Sequence, residues 1–428
     1  MVPYFRRLED WRGPAGETRG QGGPLPVSEP APLSPGAAAF VSTCGALGFP
    51  RLRDVNDGPI EGAAPLQLNT RGGQRYSTAR AYLRPARRRP NLRVVTDATA
   101  CRVLIEGGRA AGVLARRGGR GGGEERFLAR RREVVLCAGA IASPQLLMLS
   151  GVGEEAALRA LGIEVAADLP GVGRNLQDHL IARLGLRTKP AGTINEVMAS
   201  RWRLARTALG SALRRAGPLA IGAGEATLFA PVTPGAEEAE VQLFFINFCL
   251  SGSGGYVLPP HPGMMINFGQ CRPESRGEIV LRSPAPDDRP VIRANYLDAP
   301  QDRRVVVDAA RLARRVARAA PFAGLVEEEL WPPPDAEDDE ALLDYVRRTG
   351  TTVYHPCGTC RMGTDAGAVV DPELRLRGGV RGLRVADASV MPLVPSSNIQ
   401  PAVMMIAERA ADLLRQAGPG TVAALRSA

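Results

Sequence analysis

Apolar residues are arranged along this chain in two ways, as short unbroken runs and as runs with a period of three to four. Glu133-Val134-Val135-Leu136-Cys137 is of the first kind, the pattern of a strand covered on both faces. It leads into Ala138-Gly139-Ala140, then Ser143-Pro144-Gln145-Leu146-Leu147-Met148-Leu149 and Ser150-Gly151. Ser143 is placed to cap a helix, Pro144 to take its first position and Gly151 to end it. A strand, a turn of small residues and a capped helix make a place where a cofactor can lie against backbone, with Ala138 and Gly139 as its contacts.

Residues 75–85, 154–161, 201–215 and 303–318 have helical spacing. In the last of these Val305, Ala309, Leu312, Ala313 and Val316 recur on one face. Residues 241–250, 264–271 and 277–282 read as strands separated by turn residues with no long helices between them, which predicts an antiparallel sheet distinct from the first region. Strands are also expected at 91–97, at 101–106 ahead of the Gly107-Gly108 turn, and at 383–387. Residues 12–38 and 332–340 predict loops, and 168–180 an ordered loop. A final helix is expected from Pro401 to the Gly418-Pro419 pair. The fold class is α/β with an α+β admixture.

At 428 residues the chain has room for two or three domains with their own cores. It holds no run of about 18 apolar residues, so no spanning helix is expected. Its start, Met1-Val2-Pro3-Tyr4-Phe5-Arg6-Arg7, lacks the apolar core of a signal peptide. The expected location is cytoplasmic, with peripheral attachment at the inner membrane left open. The net charge is +10, yet Lys189 is the sole lysine among 54 basic residues. That bias follows GC-rich coding. The arginines of 303–318 alternate with a helical apolar face and not with aromatics, so nucleic acid is set aside as a partner. Seven cysteines, an odd number, predict free thiols. Cys357-Gly358-Thr359-Cys360 has C-x-x-C spacing, but no second pair completes a zinc site. It reads as small buried residues beside a histidine; no metal is expected.

That histidine is one of three, with His179 and His261. His261 lies among prolines in a loop, and His179 reads as structural, holding its loop. His355 precedes Pro356, which pushes it toward extended geometry and projects the ring. Some forty residues on, Pro395-Ser396-Ser397-Asn398-Ile399-Gln400-Pro401 opens the last helix. One histidine and one side-chain amide, each at a turn, can deprotonate an alcohol and hold the alkoxide. No G-x-G-x-x-G occurs, since Gly171-Val172-Gly173 is followed by Leu176 at the third position; there is no P-loop and no G-x-S-x-G.

The ordered blocks Pro3-Tyr4-Phe5-Arg6-Arg7, Ala138-Gly139-Ala140-Ile141-Ala142-Ser143-Pro144, Leu169-Pro170-Gly171-Val172-Gly173 with Asn175-Leu176-Gln177-Asp178-His179, Arg272-Pro273-Glu274-Ser275-Arg276-Gly277, and residues 355–412 resemble the glucose–methanol–choline (GMC) oxidoreductases, in particular their choline-dehydrogenase-like alcohol dehydrogenases. The resemblance implies FAD. It implies that His355 is the catalytic base and Asn398 its partner, that Asp387, Ala388, Gln400 and Pro401 line the flavin, and that Ala100 meets the adenine side through backbone. His355 would take the alcohol's proton as hydride leaves for the flavin, and the N-terminus of the last helix would favour the reduced, anionic flavin.

Family members open with a strand, a G-x-G-x-x-G turn and a helix, which lie before residue 1 here, so the chain is expected to be truncated. The expected organisation is 1–84 as a connecting and lid region shared with the substrate domain, 85–185 as the first part of a Rossmann-like FAD domain, 186–352 as the substrate domain, 353–418 as the second FAD part, and 419–428 as a tail. The expected activity is oxidation of a primary alcohol, choline-like or another small aliphatic one, with quinone, dye and oxygen all open as acceptor. Few aromatics fall in 186–354, and no ammonium cage is recognisable among them. A non-catalytic remnant without flavin and a hydroxynitrile-lyase-type activity are the alternatives.

Overall fold

The computed structural model describes residues 1–29, 32–119, 121–129, 133–214, 217, 224–252 and 257–417. The expected helix end at Gly418-Pro419 and the 419–428 tail lie outside them. The chain divides into two compact units. The first is Met1–Arg89, His179–Pro273 and Ala299–Val353; the second is Pro90–Asp178, Glu274–Asp298 and Tyr354–Ala428. Residues 274–298, expected within the substrate domain, therefore pack in the second unit.

The first unit is built on the expected antiparallel sheet. Seven strands take part, in the order Val326–Trp331, Leu180–Thr188, Gly263–Gln270, Val241–Ile246, Gly224–Ala230 and Gly62–Pro65, with Thr351–Thr352 also on Leu180–Thr188. The strand Gly263–Gln270 is buried almost throughout because it is flanked on both sides and covered on a face by the helix Pro300–Arg318. That helix turns Val305, Val306, Ala309, Ala310, Leu312, Ala313 and Val316 inward, as its spacing predicts. The helix Pro35–Ala46 starts inside the expected 12–38 loop. Ser34 caps it, its hydroxyl accepting the Ala37 N–H, and Pro35 takes the first turn. It inserts Phe40 into a cluster with Phe245 and Phe322, ring centroids 5.8 to 6.4 Å apart, the Phe322 ring edge-on to both.

In the second unit Leu383–Val385 pairs in parallel with Val134–Leu136, Val385 opposite Leu136. Beside them lies the meander Ala98–Glu106, Arg109–Arg117 and Glu124–Leu128. Its first turn is Gly107-Gly108, both at positive φ (57° and 70°), a conformation that glycine takes without strain and that suits a two-residue hairpin. Residues 91–97 form no strand. Leu92 and Val94 stand exposed there with no neighbouring ladder to pair with. The 277–282 strand is shorter than expected, Glu278–Val280, and pairs with Val291–Arg293 as a separate ribbon, outside the large sheet.

The helix after Val134–Leu136 also differs from expectation. It begins at Gly139, so Pro144 lies inside it and Ser143 does not cap it. Proline has no N–H to give the carbonyl four residues back. That carbonyl, on Ala140, instead accepts the Thr359 hydroxyl at 2.6 Å. Gly151 follows the helix end at φ +81°, as expected. The last helix is Gln400–Gln416. Among the described residues no helix is long and apolar enough to cross a membrane.

Phe245→Ala leaves a void against Phe40 and Phe322. It is expected to cost about 3–5 kcal/mol, read as a lower urea midpoint at unchanged slope.

Candidate active site

The segment carrying His355 is irregular, so its position has to come from hydrogen bonds. It runs antiparallel to the 175–178 stretch, with Gln177 N–H to Cys357 O at 3.0 Å and Cys357 N–H to Gln177 O at 2.9 Å. On its other side Cys360 N–H reaches Ser389 O at 2.8 Å and Met362 N–H reaches Val390 O at 2.9 Å. Asn175, in the left-handed region at φ 61°, turns its amide onto the Gly358 carbonyl. Gly358 itself has φ +88°, and an added Cβ would lie 2.5 Å from the Asn175 carbonyl oxygen, so glycine is required for this approach. Gln177 spans to the next segment: its Nε2 donates to Pro392 O at 3.0 Å and its Oε1 accepts Val394 N–H at 3.1 Å. One short stretch thus fastens both the histidine segment and the approach to Asn398.

Asp178 completes the hold. Its Oδ1 accepts the main-chain N–H of His355 at 2.9 Å, and its Oδ2 accepts the phenol of Tyr296. The residue before the histidine, Tyr354, sits at φ 64° with its ring exposed. A non-glycine residue there costs about 1–3 kcal/mol, a strain that persists only where neighbouring contacts over-determine the backbone.

The ring of His355 is buried, and its Nε2 lies 3.2 Å from Asn398 Nδ2. The amide N–H can donate across this contact in the tautomer that carries its ring proton on Nδ1. Asn398 is exposed, two residues before the helix Gln400–Gln416. The pair sets a buried imidazole nitrogen beside the amide of an exposed residue, two groups that can chemically take a hydroxyl proton and hold the oxygen left behind.

The sequence-expected cofactor residues fall in three groups. Gly139 and Asp387 are joined directly, Asp387 Oδ2 accepting Gly139 N–H at 2.9 Å and the Ser143 hydroxyl at 2.5 Å. Its Oδ1 accepts the Ser389 N–H and hydroxyl, at 2.8 and 2.6 Å. With four donors the carboxylate is internally satisfied, and Asp387 and Ala388 are both buried. Ala138 is exposed, and Gly139 has φ +83° with open space where a Cβ would be. Gln400 and Pro401 are exposed at a helix start that no side chain caps. Ala100 is exposed on Ala98–Glu106, a strand that packs against the helix Gly139–Leu149.

His179 is buried with Nε2 2.8 Å from the Cys271 carbonyl oxygen, and His261 turns Nδ1 to Pro262 O at 2.9 Å. Cys357 and Cys360 are free and buried; burial pushes the Cys357 thiol up to about 12 and the Cys360 thiol higher still, which disfavours reactive thiolates. Asn175, Gln177, Asp178 and Tyr296 hold the site without having been singled out as site residues. The run of polar side chains Asn175-x-Gln177-Asp178 in one loop was the available signal; Tyr296, distant in sequence, had none.

Residues 1–181 match the N-terminal pattern of the GMC oxidoreductases and 273–407 the C-terminal pattern. The chain is 40% identical over 424 residues to an uncharacterised GMC-type oxidoreductase of Mycobacterium bovis, covering 97% of this chain and 78% of that one. It is 36% identical to an oxygen-dependent choline dehydrogenase of Cronobacter sakazakii, covering 98% and 74%. The crystal structure of pyridoxine 4-oxidase from Mesorbium loti superposes with a TM-score of 0.84 at 32% identity, covering 97% of this chain and 76% of that one.

Asp178→Ala leaves the His355 N–H and the Tyr296 phenol without this acceptor, at an expected cost of about 1–3 kcal/mol per group in chemical denaturation. Asp178→Asn, which still offers an oxygen to the His355 N–H, is expected to recover part of it.

Proposed function

The chain belongs to the GMC oxidoreductase family, and within it we propose that this protein oxidises a primary alcohol to the aldehyde, with His355 as general base and Asn398 as its partner. The cofactor is FAD, which when bound supplies the two-electron acceptor for the hydride leaving the alcohol carbon. The observation that carries the reading is the 3.2 Å approach of Asn398 Nδ2 to His355 Nε2. A substrate hydroxyl beside the pair, within reach of both nitrogens, would give its proton to Nε2 and leave its oxygen against the amide N–H. Developing negative charge on that oxygen makes the hydrogen bond stronger in the transition state than in the ground state, which is where it accelerates reaction.

The residues present fit the cofactor on one observation in particular. Gly139 faces open space on its Cβ side, beside the exposed Ala138 and the backbone of the Asp387-Ala388 turn. Ala138, Gly139, Asp387 and Ala388 would hold FAD through main-chain atoms, with Ala100 toward the adenine. Gln400 and Pro401, at the positive end of the last helix, would favour negative charge on the ring system. The name of one relative, choline dehydrogenase, favours an alcohol of choline's kind; other small aliphatic alcohols suit the same pair of residues. The role of Asp178 is positioning, since it acts on the histidine through its main chain.

The test is dye reduction by an alcohol series, with the absorbance spectrum of the purified chain recorded with and without added FAD. His355→Ala is expected to abolish turnover while the flavin band is unchanged; near-normal activity in that variant would remove His355 from the mechanism. Asn398→Ala is expected to lower kcat by about 10²–10³, with little change in KM.

A further inference from the structure

The helix Arg201–Arg214, in the first unit, is amphipathic the wrong way round. A surface helix normally turns its large apolar residues toward the core. Here the half-buried positions, among the described side chains, are Leu204, Thr207, Gly210 and Ser211. Trp202, Leu209 and Leu213 face outward, 83%, 62% and 76% exposed. At 100° per residue these three fall within about 40° of one another, a single stripe along a rod of about 21 Å. Arg201, Arg203 and Arg206, all exposed, lie on and beside this stripe, and the helix has no acidic residue. Its base is firm. The preceding helix Ile194–Met198 has a capping box from Thr193 and Glu196, and Asn195 binds the Cys249 and Pro259 carbonyls at 2.9 and 3.0 Å. Arg203 reaches back to Glu196 at 3.4 Å.

We propose that this stripe docks on the surface of an anionic phospholipid bilayer, with Trp202, Leu209 and Leu213 entering the headgroup–acyl boundary and the flanking arginines meeting lipid phosphates. The chemistry is that of an interfacial helix: a tryptophan, leucines and arginines, with no carboxylate to repel the lipid. The area speaks against a second copy of this chain or a protein partner. One helix stripe of this length offers on the order of 200 Å², while stable protein interfaces take about 800 Å² from each side. The inference stands independently of the alcohol chemistry.

The chain contains its own reporter. Of its three tryptophans Trp11 and Trp331 are 3% and 9% exposed, so a change in tryptophan emission on binding reads Trp202. The full chain is mixed with vesicles of phosphatidylglycerol and phosphatidylcholine, or of phosphatidylcholine alone, and followed by flotation and emission. The expected result is co-flotation and a blue shift with the anionic vesicles, weakened by salt. In Leu209→Glu with Leu213→Glu the affinity should fall at least about ten-fold. Because both side chains are exposed, the melting temperature should hold. Absence of binding to the anionic vesicles overturns the proposal. So does binding that the double variant leaves intact. So does a dimer in sedimentation that the double variant dissociates, since the stripe would then be a contact between copies.

Discussion

A histidine on an irregular segment can act as a base only as well as its main chain is held, and in this protein one stretch of four residues does the holding. Asn175, Gln177 and Asp178 bind, in turn, the Gly358 carbonyl, the backbone at Pro392 and Val394, and the N–H of His355 itself. The two arms of the site, at 355 and 398, are some forty residues apart in sequence and share no regular element. Their 3.2 Å contact therefore depends on side chains outside the pair. The unfavourable φ of Tyr354 is the local sign of that dependence: the backbone adopts it because bonds on both sides leave no other path.

Polar satisfaction extends the same logic to the cofactor side. The Asp387 carboxylate is filled by four donors from Gly139, Ser143 and Ser389, which ties the end of one parallel strand to the helix that follows the other. Beside this buried knot stand Gly139, which has open space where a Cβ would be, and the exposed Ala138.

Much of this was legible in the sequence where one pattern decided the matter. The period of Val305, Ala309, Leu312 and Val316 and the alternation of turns with apolar runs in 241–271 are local signals, and both elements form as expected. The histidine and its amide partner could be named from residue chemistry and from resemblance. The failures came where the presence or identity of a pairing partner, which no local pattern names, decides the outcome. Leu92 and Val94 favour a strand, but no ladder lies beside them. Glu278–Val280 does form a strand, yet it pairs with the nearby Val291–Arg293 as a two-stranded ribbon and not with the large sheet. Tyr296 could not be tied to Asp178 from sequence, because nothing local links the two positions.

Pro144 carries a consequence of its own. Inside a helix proline usually marks damage, a bond removed with nothing put in its place. Here the subtraction frees the Ala140 carbonyl, and the Thr359 hydroxyl from the histidine segment takes it up. Alanine at 144 would restore a donor within the helix, and the Ala140 oxygen, with two lone pairs, could accept it beside the Thr359 hydroxyl. The proline thus leaves one helical carbonyl to be claimed from outside, and through it the helix is stitched to the histidine segment.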